Sequence, residues 1–120
     1  MPMPDEYFFE EGCYISEWLN DENDAAVSVA RARVPVGGTT RWHVLDGITE
    51  RYIILEGEGD AEVGDIRQTV GSGDTVLIPP GVAQRIHNTG DTALVFLAVC
   101  TPRFTPQQYR DLGDVDKPTD

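Results

Sequence analysis

Hydrophobic and polar residues alternate along this chain in short runs, and no long stretch carries the 3.6-residue repeat of an amphipathic helix. The runs fall at 13–19, 26–34, 40–45, 50–56, 60–63, 75–78, 83–88 and 93–100, and they are rich in β-branched and aromatic residues. Alternation of that kind suits a strand with one buried face. Turn clusters separate the runs: Pro35-Val36-Gly37-Gly38, Glu56-Gly57-Glu58-Gly59, Gly71-Ser72-Gly73-Asp74, Pro79-Pro80-Gly81 and Asn88-Thr89-Gly90-Asp91. Short strands at a spacing of about ten residues predict an all-β sandwich or barrel. One helix is expected late in the chain. Thr105 is placed to cap, Pro106 suits the first helical position, Gln108 completes a capping box and Gly113 ends the segment, which predicts a short C-terminal helix over about 106–112. The chain then divides into an acidic N-terminal arm with the first strand (1–24), a barrel (25–103), and a short helix with a flexible tail (104–120).

With 120 residues the chain makes one domain with one modest core. The formal charge of −12 repels phosphate, so neither nucleic acid nor an anionic membrane is an expected partner. The excess sits at the ends. Residues 1–24 hold eight acids and no base, whereas residues 25–103 hold nine acids against seven arginines. The acidic ends read as solvating arms. No apolar run reaches the ~20 residues that span a bilayer, and residues 1–11 lack the basic-then-apolar order of a signal peptide. Cys13 and Cys100 are too few for a disulfide scaffold. These features place the chain in the cytoplasm.

Two segments have matched spacing. In the first, Gly37 is followed by His43, Leu45, Glu50 and Gly57; in the second, Gly73 is followed by Pro79, Gly81, Gln84 and Asn88. This pair resembles the two signature motifs of the cupin superfamily over residues 26–101. The resemblance implies a double-stranded β-helix, that is, a jelly-roll barrel. It also implies a homodimer, which the first strand (13–19) favours on its own account because its edge needs a neighbour. In metal-binding cupins the first motif supplies two histidines and a glutamate, and the second a third histidine. Carried over, His43 and Glu50 match two ligands, while Leu45 and Gln84 stand where histidines would be. The implied metal site is then His43, Glu50 and Gln84, holding a divalent ion such as iron, manganese, nickel or zinc with water completing the shell.

Parity places the same side chains independently of the family. His43 and Leu45 share a strand face, as do Glu50 and Tyr52, and as do Gln84, Ile86 and Asn88. In a barrel those faces converge. A buried Glu50 needs a compensating metal, an imidazolium at His43, Arg41 by same-face parity, or a proton of its own. Tyr52, Arg41 and Leu45 are the expected contacts to a small organic ligand, and Asn88 serves a turn. His87 has the opposite parity to Gln84 and is expected to face outward, with Arg51 and Arg85. Arg31 and Arg33 share a face, outward if Ala30 and Ala32 fill a crowded interior. Trp18, Trp42, Leu45, Ile54, Leu77, Ile86 and Phe96 either line a cavity or plug it. Three function classes follow: a metal-dependent enzyme of oxygenase, isomerase or cyclase type, or one using the His43–Glu50 pair as acid and base; a small-molecule binding module; and a filled structural barrel.

Overall fold

The computed structural model describes residues 5–9 and 11–113. The tail predicted beyond 113, with Lys117, and one acid of the arm, Glu10, lie outside them. Among the described residues, eleven strands form two antiparallel sheets packed face to face. One sheet runs in the order β1 (Tyr7–Phe9), β2 (Cys13–Leu19), β3 (Ser28–Val34), β10 (Leu94–Thr101), β5 (Thr49–Glu56), β8 (Thr75–Ile78). The other runs β11 (Tyr109–Gly113), β4 (Trp42–Leu45), β9 (Gln84–Asn88), β6 (Glu58–Val63), β7 (Ile66–Gly71). The all-β jelly roll is as expected. No helix of the described residues is long and apolar enough to cross a membrane.

Three strands go beyond the alternation: β1, β7 and β11. β1 lies against β2 in the same chain, with Tyr7 opposite Ile15 and Phe9 opposite Cys13. The outer edge of β2 is therefore covered without a partner molecule. The expected helix at 106–112 is a single 3-10 turn, Pro106–Gln108, and the Thr105 side chain caps no backbone N–H. Instead Thr105 Oγ1 donates to Gln108 Oε1 at 2.7 Å. From Tyr109 the chain turns extended, because pairing with β4 satisfies its backbone and buries Tyr109 against the ring of His43.

The two ends of the barrel differ. At one end Val34, Ile54, Val76, Ile86, Leu94 and Phe96 fill the space between the sheets. At the other, Leu45, Ile48 and Cys100 pack with Phe104 and Tyr109. Between these clusters the inward positions of β3 and β10 carry Ser28, Ala30, Ala32 and Ala98, and such small side chains leave volume unfilled. The parity reading of β3 holds, with Arg31 and Arg33 outside on Glu6. The alanines, however, line a hollow instead of a crowded interior.

Two glycines shape the turn from β5 into β6, Gly57 at the end of the first motif and Gly59 just beyond it. Gly57 has φ +88°, and a Cβ there would lie 2.6 Å from the Ala93 carbonyl oxygen. A Cβ on Gly59 would lie 2.8 Å from the His87 carbonyl oxygen. Both positions reject any side chain.

Candidate functional site

The hollow encloses about 90 Å³. His43, Leu45, Glu50 and Tyr52 all face it, so four of the side chains placed by parity share one cavity. Gln84 sits just behind. It is opposite His43 in the β4–β9 register, and its Oε1 accepts a short hydrogen bond from the Tyr52 hydroxyl. Burial with nearby acids holds the Tyr52 phenol well above its ordinary range, so it stays a donor. Leu45 and Phe96 line the cavity, while Ile54 and Ile86 belong to the filled core. Trp18 and Leu77 are exposed, and Trp42 lies beneath the Arg85 guanidinium, 4.5 Å from its ring centre.

Arg41 corrects its parity assignment. Its guanidinium turns outward to Asp111, with Nε 3.0 Å from Oδ2, and it does not line the cavity. It serves the site through its backbone: His43 Nδ1–H donates to the Arg41 carbonyl oxygen at 2.8 Å. That bond fixes the ring and leaves Nε2 facing the cavity. His87 faces outward as its parity requires, hydrogen-bonded to Thr39 Oγ1. Arg51 and Arg85 also face outward, on Thr101 Oγ1 and Glu62.

Sequence reasoning missed two residues of the site, Glu11 and Tyr109. Glu11 belongs by sequence to the acidic arm, yet its side chain is only 12% exposed, with Oε1 3.3 Å from His43 Nε2. Its Oε2 accepts from the Cys13 thiol at 3.5 Å. Gly12, at φ +107°, makes the turn, and the Arg41 N–H donates to the Glu11 carbonyl at 2.7 Å, so the arm is pinned to β4 beside the imidazole. Tyr109 was missed for the same reason as β11. Its ring stacks on His43 at 5.2 Å and 17°.

Glu50 is 7% exposed, and its Oε1 has no hydrogen-bond partner. Burial above all, with the neighbouring Glu11 carboxylate, pushes its pKa up to about 7; His43, the Gln84 amide and the Cys100 thiol favour the charged form and oppose the rise. The Gln84 amide is thus near enough to act on Glu50, although Gln84 Nε2 makes no hydrogen bond. Both cysteines are free, and burial pushes each thiol far up, so neither is a nucleophile.

The donors present are few for the implied metal. Leu45 offers no lone pair, and the Gln84 oxygen is engaged by Tyr52. The remaining donors are His43 Nε2 and two carboxylates. Among the described residues, no three His, Cys, Asp or Glu side chains are arranged to hold an ion. The set as built does not fit the family's metal.

A family profile described as "Cupin domain" matches residues 30–100. An uncharacterized protein of Methanocaldococcus jannaschii is 35% identical over 101 residues, 82% of this chain and 81% of that one. An oxalate-binding protein of Thermotoga maritima is 37% identical over 70 residues, 58% of each chain. Among solved structures, a predicted oxalate decarboxylase from T. maritima superposes with a TM-score of 0.74 at 29% identity, covering 83% of this chain and 92% of that one. The Streptomyces nucleoside dehydratase Pac13 superposes at 0.78 over 93% of this chain and 87% of that one; at 16% identity it speaks for the fold alone.

Proposed function

The chain belongs to the cupin domain family, and from that premise we propose that it holds a small organic molecule in the open half of its barrel and moves a proton on it with His43, Glu11 and Glu50. The observation that supports this reading is the pair of contacts on one imidazole. Nδ1–H is committed to the Arg41 carbonyl, so Nε2 is the working atom. A bare Nε2 lone pair facing a carboxylate oxygen at 3.3 Å is repulsive, and the contact becomes attractive when one proton lies between them. The His43–Glu11 pair therefore carries one transferable proton at the cavity wall. Glu50, whose pKa of about 7 keeps both its forms populated near neutrality, is the second group. One group takes a proton from the substrate while the other gives one up, which is the chemistry of isomerisation or of loss of water. The oxalate named for the T. maritima relative is not carried over, because among the described residues this cavity has no lysine or arginine in its lining and no fitting metal set to receive a dianion.

The reading is tested by proton exchange. In D2O, with a panel of small organic compounds, the wild type is expected to catalyse C–H exchange on at least one, observed by proton NMR, and dialysis against EDTA leaves the rate unchanged. His43→Asn, which keeps a hydrogen bond to Arg41 but loses the second ring nitrogen, is expected to cut that rate at least ~100-fold. An unchanged rate in His43→Asn overturns the reading. Activity lost to EDTA and restored by iron, manganese, nickel or zinc replaces it with the metal enzyme.

We propose further that two copies associate through the outer face of the six-stranded sheet. Ile53, Leu55 and Leu77 are exposed on β5 and β8 beside the outward Leu97 and Val99 of β10, an apolar patch bordered by Arg31 and Arg51 on the same face. Leu77→Asp is expected to convert a dimer into a monomer in light scattering without shifting the melting temperature of the monomer. A monomeric wild type overturns this proposal.

A further inference from the structure

We infer that the ligand of the cavity is a small organic cation, an ammonium group carrying a flat apolar body, and not an organic anion. The inference rests on the small-molecule reading above and adds the charge class of the substrate.

Size sets the first limit. At roughly 10–15 Å³ per water position, a cavity of about 90 Å³ has room for about six to nine non-hydrogen atoms. Charge sets the second. Three carboxylates stand along the cavity at increasing depth: Glu17 is exposed at the mouth, Glu11 is 12% exposed on the wall, and Glu50 is 7% exposed on the floor. Among the described lining residues there is no lysine or arginine. Arg41, the arginine next to the site in sequence, points away to Asp111. A carboxylate ligand entering here would give up its water beside Glu17, Glu50 and the proton-sharing His43–Glu11 pair, a set that is net negative at pH 8, with no guanidinium or fitting metal to receive it.

The third observation comes from the floor. Glu50 Oε1 is buried without a donor, and a buried acceptor left unmade is costly. His43 is occupied by Glu11 and Arg41, and Tyr52 donates to Gln84; the donors left beside Glu50 are the Gln84 amide and the Cys100 thiol, both uncharged, so a charged donor for its carboxylate comes from the ligand. An alcohol supplies one hydrogen; an ammonium supplies up to three, together with the charge that two nearby carboxylates favour. The walls agree with the same cation. Phe96, Phe104 and Tyr109 line the cavity, and aromatic faces attract an ammonium as well as a flat hydrocarbon. The net charge of −12 draws cations towards the mouth from solution. The acid-rich first segment thus contributes two of the three carboxylates that select the ligand.

Three probes of nearly one size decide it: benzylammonium, benzyl alcohol and benzoate, titrated calorimetrically into the full chain at pH 8. Benzylammonium is expected to bind at least about tenfold tighter than benzyl alcohol, and benzoate to give no saturable heat. Glu50→Gln is expected to weaken benzylammonium at least about tenfold and to leave benzyl alcohol within about twofold. Glu11→Gln, further from the floor, weakens the cation by less and serves as the second variant should Glu50→Gln not fold. Ala98→Leu fills the hollow and abolishes all binding. Equal affinity for the three probes, tighter binding of benzoate, or a benzylammonium affinity unchanged in both glutamate variants overturns the inference. In the first two cases binding that Ala98→Leu removes leaves the small-molecule site standing with its charge class corrected. If no probe binds, the inference falls, and the exchange assay with His43→Asn decides the proton-transfer reading separately.

Discussion

Replacing Glu50 by Gln is expected to raise the stability of the unliganded chain at pH 8 by roughly 3 kcal/mol and to change it little at pH 4. The sign follows from proton linkage. In the unfolded chain this carboxyl titrates near its ordinary 4.5, and in the folded chain near 7. Below about pH 4.5 both states hold the proton, and Glu50 imposes no ionisation cost. Between about 4.5 and 7 the unfolded chain releases the proton while the folded chain keeps it, so stability falls as pH rises. Above 7 the folded state must carry a buried carboxylate, and the full cost is present. A displacement of about 2.5 pH units at ~1.36 kcal/mol per unit gives the quoted size. The groups that set this value come from four elements: His43 on β4, Glu11 before β2, Gln84 on β9 and Cys100 on β10. Glutamine keeps the shape and has no charge to bury. Urea unfolding of both proteins across pH 4–8 measures the difference directly. Parallel curves would show that Glu50 is solvated or paired in the folded chain. A bound cation should act in the opposite sense, favouring the carboxylate and returning stability at high pH to the wild type alone.

How much of this was legible in the sequence depends on how local the determinant is. Strand parity put His43, Leu45, Glu50 and Tyr52 on the cavity and His87 outside, because side-chain alternation needs only the strand itself. Arg41 obeyed the same count and failed, since it lies just before β4, where alternation has not begun and Asp111 captures its guanidinium. The helix expected at 106–112 failed for a different reason. Thr105, Pro106 and Gln108 do make a turn, but the open edge of β4 offers Tyr109–Gly113 a ladder and a stacking partner, and local capping cannot compete with that. Glu11 was invisible. A Glu-Gly step in an acid-rich segment reads as a solvated turn, and only the backbone bond from Arg41 brings it beside His43. Ala30 and Ala32 were placed on the correct face, yet small inward residues mean either a tight core or a hollow, and the spacing of the two sheets decides which.

The most damaging single change is expected outside the cavity, at Asn88. Its amide is buried where three chain segments meet: Nδ2–H donates to the Val34 carbonyl at 3.0 Å and to the Thr92 carbonyl at 2.9 Å, and Oδ1 accepts from the Gly90 N–H at 2.9 Å. Asn88→Ala removes all three bonds at once. At ~1–3 kcal/mol for each buried group left unpaired, three groups give at most about 9 kcal/mol; two of the three bonds are only part-buried, so the loss falls in the lower half of that range, about 3–5 kcal/mol, against a total of roughly 5–15 kcal/mol for a domain of this kind. Urea denaturation should show the midpoint falling by a third or more with an unchanged slope. Asn88→Asp separates hydrogen bonding from volume. It keeps the acceptor for Gly90 but turns a carboxylate toward two carbonyl oxygens, so at pH 8 it should be nearly as unstable as the alanine variant, and it should recover partly in acid as the carboxyl gains a proton to donate. A variant that holds its midpoint to within about 1 kcal/mol would mean that water replaces the amide. Gln84 lies four residues upstream on the same face of the same strand, and Tyr52 and Glu50 are set against it. The asparagine that ends the second motif therefore acts on the site through the register of β9, by fixing where that strand stops.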